Sequence, residues 1–134
     1  MVLISGGTCA ESKPGEAERK LREAFNTAKC SPRGVVVIDQ IDSLSPKIRD
    51  TTPSHTRRLV KQLASLLDQA QSTLVVGVSS RPNDVDPSIL RAGRLEINLV
   101  IAPPTEGERK LMLASLFKPF AQVTKYQNWS RSCF

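Results

Sequence analysis

Val35-Val36-Val37-Ile38-Asp39-Gln40-Ile41-Asp42 is the stretch whose reading decides the fold. Four β-branched aliphatics run without alternation into an acid. Such a run reads as a strand buried on both faces, which points to a mostly parallel sheet under helices. Asp39 then falls where the strand leaves the sheet, at its carboxyl end, the edge where open α/β folds bind ligands. Taken alone, a core strand followed by a polar turn explains the same residues equally well.

Working outward, Pro32 and Gly34 separate this strand from a helix that begins near Glu16. Its Ala17, Leu21, Ala24, Phe25 and Ala28 share one helical face. Glu16 and Glu18 lie in its first turn, where the helix dipole favours anions. Before it, residues 2–5 read as a short buried strand ended by Gly6-Gly7, and residues 8–15 as a loop closed by Pro14-Gly15. After the strand, residues 43–55 read as loop, with Pro46 and Pro53. Ser54 or Thr56 is placed to cap a helix whose apolar face is Leu59, Val60, Leu63, Ala64, Leu66, Leu67 and Ala70. Residues 73–78 predict another buried strand, left through Ser79-Ser80-Arg81-Pro82. Asp86-Pro87 reads as the start of a short helix ending at Ala92-Gly93. Leu95 to Ile101 predicts a last strand closed by Pro103-Pro104. Thr105 and Glu108 form a capping box for a final helix carrying Leu111, Met112, Ala114 and Leu116. This alternation of strands and helices implies a parallel α/β sheet with helices on both faces.

Composition sets the bounds. At 134 residues, 40% apolar and 24% charged, the chain has the make-up of one globular domain or part of one. Aromatics are only 4%, so the core must be aliphatic. No apolar run approaches the ~18 residues of a membrane span, and Met1–Ser5 lacks the features of a signal peptide. Cys9, Cys30 and Cys133 follow no metal spacing, and His55 is the sole histidine, which argues against zinc and for reduced thiols in the cytoplasm or nucleus. The net charge is +6, with Lys118, Lys125 and Arg131 in a tail free of acids. No basic stripe is interleaved with aromatics, which argues against nucleic acid as partner.

Two stretches together resemble the AAA family of ATPases. Val35–Leu44 resembles its Walker B strand, and Arg81-Pro82-Asn83-Asp84-Val85-Asp86-Pro87 through Arg91-Ala92-Gly93-Arg94 resembles its second region of homology. Arg57-Arg58-Leu59-Val60 and Gln62-Leu63 through Asp68 fit the helix between them. Gly15-Glu16-Ala17-Glu18, Leu21-Arg22 and Phe25 fit the Gly-Glu-x-Glu helix upstream. The Pro14-Gly15-Glu16 variant is similar to the valosin-containing-protein group, with its spermatogenesis-associated branch as a narrower reading.

The resemblance implies an α/β fold: a three-layer P-loop NTPase-type parallel sheet. It implies Asp39 as ligand to Mg²⁺ and ATP, since phosphoryl transfer needs a metal held at the strand's end. Gln40 stands where the family has the glutamate that polarises the attacking water. A glutamine orients water but accepts no proton at neutral pH, and the loss of a general base slows catalysis on the order of a hundredfold or more. Arg91 and Arg94 match the arginines that a neighbouring subunit points at the γ-phosphate, a role suited to a permanent planar cation. Two solvated arginines near a helix end are the plainer alternative. Ser80 replaces a phosphate-sensing asparagine, with shorter reach and one donor instead of two. Arg57 and Arg58 sit in a first turn that disfavours cations. An acidic neighbour across a subunit interface would explain them, as would solvation. Ser12-Lys13-Pro14-Gly15 matches the pore loop, with Lys13 where threading members carry an aromatic.

The phosphate-cradling run Gly-x-x-x-x-Gly-Lys-Ser/Thr occurs nowhere in the sequence. The expected sheet is therefore incomplete, lacking its first strand and phosphate loop, and the helical lid is missing too. Residues 1–116 are expected to form a partial AAA large subdomain and 117–134 a basic, disordered tail. The expected function is that of a fragment of an ATPase whose parent forms hexamers with AAA subunits and remodels protein substrates, incompetent on its own. The alternative is a non-catalytic or interfering subunit of an AAA ring. A receiver-type domain ranks last, because no paired acid follows the first strand and no lysine follows a late one.

Overall fold

A computed structural model of the chain describes residues 1–10, 13 and 15–123. The chain divides into two compact units, Met1–Asn98 and the residues from Leu99 onward. The first holds β1 (Val2–Ser5), α1 (Gly6–Ala10), α2 (Glu16–Lys29), β2 (Val35–Asp39), α3 (Ile41–Leu44), α4 (Ser54–Asp68) and β3 (Leu74–Gly77). The second holds α5 (Glu106–Val123).

The three strands form one parallel sheet in the order β1-β2-β3. Register aligns Val2, Val36 and Val75 in one row and Ile4, Ile38 and Gly77 in another. Alternation puts these residues on a common face. On that face Ile4, Val36 and Ile38 are buried with Ala17, Leu21, Ala24, Phe25 and Ala28 of α2 and the apolar stripe of α4. The two helices thus cover a single side of the sheet. Leu21 and Phe25 are fully buried, each contributing about 1.5–3 kcal/mol, so packing more than propensity holds α2 in place.

The other face of the sheet is bare within this unit. Leu3, Leu74, Val76 and Val78 are exposed there, and Val35 and Val37 half-buried. The parallel α/β class holds, as an incomplete sheet of three strands among the described residues.

Several expectations are corrected. Residues 95–101 form no strand: among the described residues β3 has no neighbour on its far side, and a strand exists only as half of a ladder. No helix follows Asp86-Pro87. A 3-10 turn at Pro82–Asp84 precedes single turns closed by Ile89 N–H to Asp86 C=O and Leu90 N–H to Pro87 C=O. The Asp86 carboxylate is shared between the amides of Ser88 and Ile48, so it ties two loops together instead of capping a helix. Gly6-Gly7 opens α1 where a loop was expected, and α3 forms a turn of helix directly after β2. Pro53 occupies the N-cap of α4 and offers no side-chain acceptor, so neither Ser54 nor Thr56 caps it. The Thr105–Glu108 capping box is formed: the Thr105 hydroxyl and amide both donate to Glu108 Oε2, and the Glu108 amide donates to Thr105 Oγ1. Helix α5 runs through the 116/117 boundary to Val123; the rest of the expected tail lies outside the described residues.

Candidate functional site

Asp39 is the last residue of β2, level with Ser5 at the end of β1. The Val78 carbonyl beyond β3 accepts the Ile41 amide at 3.0 Å, and the Val78 amide donates to Ile38 at 2.8 Å. These bonds draw the exits of β2 and β3 together, so Asp39, Gln40 and Ser80 share the carboxyl edge of the sheet. The Asp39 carboxylate is exposed, with Oδ1 accepting the Gln40 amide at 2.9 Å.

Gln40 has φ 53° and ψ 47°, and is the only non-glycine with positive φ among the described residues. The left-handed conformation costs about 1–2 kcal/mol in a residue with a Cβ. It turns the chain sharply from strand into α3, and such strain gathers at functional sites. Two glycines of α1 make room for the turn. A Cβ on Gly6 would lie 2.3 Å from the Gln40 carbonyl oxygen, and one on Gly7 2.5 Å from Gln40 Oε1. The Gln40 side chain therefore rests over the start of α1.

Behind this edge lies a cluster that reading the sequence missed. Asp42 is buried; its Oδ1 accepts the Ser79 hydroxyl at 2.7 Å and its Oδ2 accepts Arg81 Nη2 at 2.9 Å and Nε at 3.2 Å. Burial pushes the Asp42 carboxyl up, but the hydrogen bonds from Ser79 and Arg81 outweigh it and hold it below the ordinary carboxylate range. The cluster fastens the loop after β3 to the turn after β2, and so fixes Ser80 relative to Asp39. Ser80 itself is exposed. The available signal was the second acid of Asp39-Gln40-Ile41-Asp42, three residues on and so one turn of helix away.

Arg91 and Arg94 stand apart from that edge. Arg94 pairs side-on with Asp68 at the C-terminal end of α4, Nε to Oδ1 at 2.6 Å and Nη2 to Oδ2 at 2.8 Å, and its Nη1 donates to the Ser88 carbonyl. Its side chain is only 18% exposed. The guanidinium holds the Asp68 carboxyl below its usual range. Asp68 lies just ahead of β3, hence toward the amino ends of the strands, so one chain does not bring Arg94 to Asp39. Arg91 is exposed, and its charge helps keep the buried Asp86 ionised against the cost of burial.

Arg57 and Arg58 turn toward their own chain. Arg57 donates to the carbonyls of Thr52, Arg49 and Asp50, clamping the loop ahead of α4. Those acceptors offset the unfavourable dipole of the helix start. Arg58 lies 4.0 Å from Glu18 of α2. Of the pore-loop residues, Ser12 and Pro14 lie outside the described residues.

No cluster of three or more metal-ligating side chains occurs among the described residues. Mg²⁺ bound with phosphates needs only one or two protein carboxylates, so the chemistry of Asp39 fits that ion.

Residues 1–103 match the ATPase family associated with various cellular activities (AAA). The chain belongs to the AAA family. It is 35% identical over 115 residues to Cell division cycle protein 48 homolog of Archaeoglobus fulgidus, covering 84% of the chain and 16% of that protein. Protein SAV of Sulfolobus acidocaldarius is 32% identical over 115 residues, covering 84% and 15%. Nuclear valosin-containing protein-like of Mus musculus is 35% identical over 108 residues, covering 76% and 13%. The AAA chain thus spans about a sixth or less of these relatives. No helix among its described residues is long and apolar enough to cross a membrane.

Proposed function

We propose that this portion of an AAA ATPase supplies the metal-binding half of a nucleotide site and is not a competent ATPase alone. The supporting observation is the edge built from Asp39, Gln40 and Ser80, braced by Asp42. Bound Mg-ATP would supply the phosphoryl group and its counter-charge. Asp39 would hold the Mg²⁺, directly or through water, with its less engaged Oδ2. Gln40 orients a water without taking its proton. Ser80 offers one hydroxyl toward the phosphates. In the parent, hydrolysis drives remodelling of protein complexes by a ring of AAA subunits in the cytoplasm or nucleus.

A phosphate-release assay on the purified chain with Mg-ATP tests this. No turnover above background is expected; robust turnover abolished by Asp39→Ala overturns it.

The alternative, a non-catalytic or interfering ring subunit, draws support from Arg91, which is exposed and meets Asp86 only through its charge. Arg91 is the cation suited to reach a neighbour's phosphate, whereas Arg94 would act by bracing its segment on Asp68. Co-sedimentation with a full-length AAA relative should then give a mixed assembly, and an unchanged sedimentation profile would end this reading.

A further inference from the structure

Two stretches have the make-up of strands and, among the described residues, lack a strand neighbour: one on its outer side, the other on both sides. β3 is an edge strand. The amides of Leu74 and Val78 donate toward β2, to Gly34 and Ile38, so by alternation the N–H and C=O groups of Val75 and Gly77 point to the open side. Residues 73–78, Thr-Leu-Val-Val-Gly-Val, carry no charge, proline or bulge, the devices that normally guard an edge. Residues 97–101, Ile-Asn-Leu-Val-Ile, belong to no strand, yet they are rich in strand-forming residues. Ile97, Leu99, Val100 and Ile101 are each more than three-quarters exposed.

We infer that two copies of this chain satisfy both deficits at once, residues 97–101 of each adding as a strand to the open edge of β3 in the other. The side-chain pattern fits. Leu74, Val76 and Val78 point to the bare face of the sheet. With Leu99 opposite Val76, the residues Ile97, Leu99 and Ile101 fall on that same face and make three apolar cross-strand pairs along it. On the helix-covered face, Asn98 and Val100 meet Val75 and Gly77, where the glycine leaves space. The exchange is reciprocal, as a two-fold dimer requires. A copy that gives its strand also receives one, so no edge of β3 is left over to propagate a fibre. This inference does not rest on nucleotide binding, and the two fail separately.

Disulfide trapping tests it. In a background of Cys30→Ser and Cys133→Ser, a tagged chain with Val76→Cys is mixed with an untagged chain carrying Leu99→Cys and oxidised. Directly opposite strand residues have Cα atoms about 4.5–5.5 Å apart, within disulfide reach. A mixed disulfide is expected with Leu99→Cys and not with Val100→Cys, which faces the other side of the ladder. Light scattering on the unmodified chain should report a dimer. Ile97→Lys with Leu99→Lys should convert it to a monomer without altering the far-UV circular dichroism of the folded helices. A monomeric unmodified chain, equal trapping by Val100→Cys, or a dimer that survives the double lysine variant each overturns the inference. So does preferential self-crosslinking of Val37→Cys, which would mean that the bare faces pack on each other instead.

Discussion

Removing the Asp42 carboxylate should uncouple the two strand exits that frame the candidate site. Asp42→Ala deletes one bond from Ser79 and the forked pair from Arg81. A hydrogen bond to a charged group contributes roughly 1.5–3 kcal/mol. Arg81 is 66% exposed, so its share is discounted to the surface range of about 0.5–1 kcal/mol. Relief of the carboxylate's desolvation offsets part of the sum. The expected loss is about 2 kcal/mol. Arg81→Ala should cost about 1–2 kcal/mol despite its exposure, because it leaves a buried charge with one partner fewer. The double variant should cost little more than Asp42→Ala alone, giving a coupling of about 1 kcal/mol.

Urea denaturation followed by circular dichroism measures each corner of the cycle. The folded carboxyl titrates below its ordinary value. The contribution is therefore complete above that ordinary value and is lost as pH falls through the folded one. The coupling should be present at neutral pH and vanish in strong acid. Additive single effects at neutral pH, or a coupling that persists in acid, would refute the reasoning.

Gln40→Gly should raise stability by about 1 kcal/mol in the same assay, because glycine adopts the left-handed turn without penalty. Gly6→Ala should destabilise by about 2–3 kcal/mol and lower the melting temperature, since the new Cβ meets the backbone oxygens of Gln40 and Asp39 at 2.3 and 2.9 Å. Arg94→Ala should lower the melting temperature through loss of the Asp68 pair and the bond to the Ser88 carbonyl, while Arg91→Ala should leave it nearly unchanged. Equal thermal shifts for the two arginines would contradict the division of roles drawn here.

The parts legible in the sequence are those whose signal is local. Every residue expected on the inner face of α2 is buried, and so is every one expected on α4 and at Ala70. The period of 3.6 needs only the helix's own residues to state which side faces inward. The capping box at Thr105 is similarly self-contained, its donors and acceptors lying three residues apart. The position of Asp39 at the end of β2 was legible, because an apolar run that stops at an acid is a local signal. Its supports were not: Asp42, Ser79 and Arg81 meet across 37 and 39 residues of sequence, and nothing local to any of them marks the others. Arg57 misled for the same reason. Its position in a first turn looks unfavourable until the carbonyls of Arg49, Asp50 and Thr52 are placed around it.

The strand expected at Leu95–Ile101 differs in kind from these. Its residues carry the propensity, yet β-propensity expresses fit to a pleated neighbour more than a preference of the backbone itself. β2 forms because β1 and β3 flank it; residues 95–101 have no flanking strand, and their alternation goes unused. Leu74, Val76 and Val78 lie on the face that neither α2 nor α4 covers, and they stay exposed. A sheet three strands wide with β3 open therefore accounts for the failed strand, while the bare apolar face follows from α2 and α4 lying on one side of the sheet. A strand that completes β3 would pair the open backbone groups of Val75 and Gly77, which makes the protection of their amides the most direct report of completion.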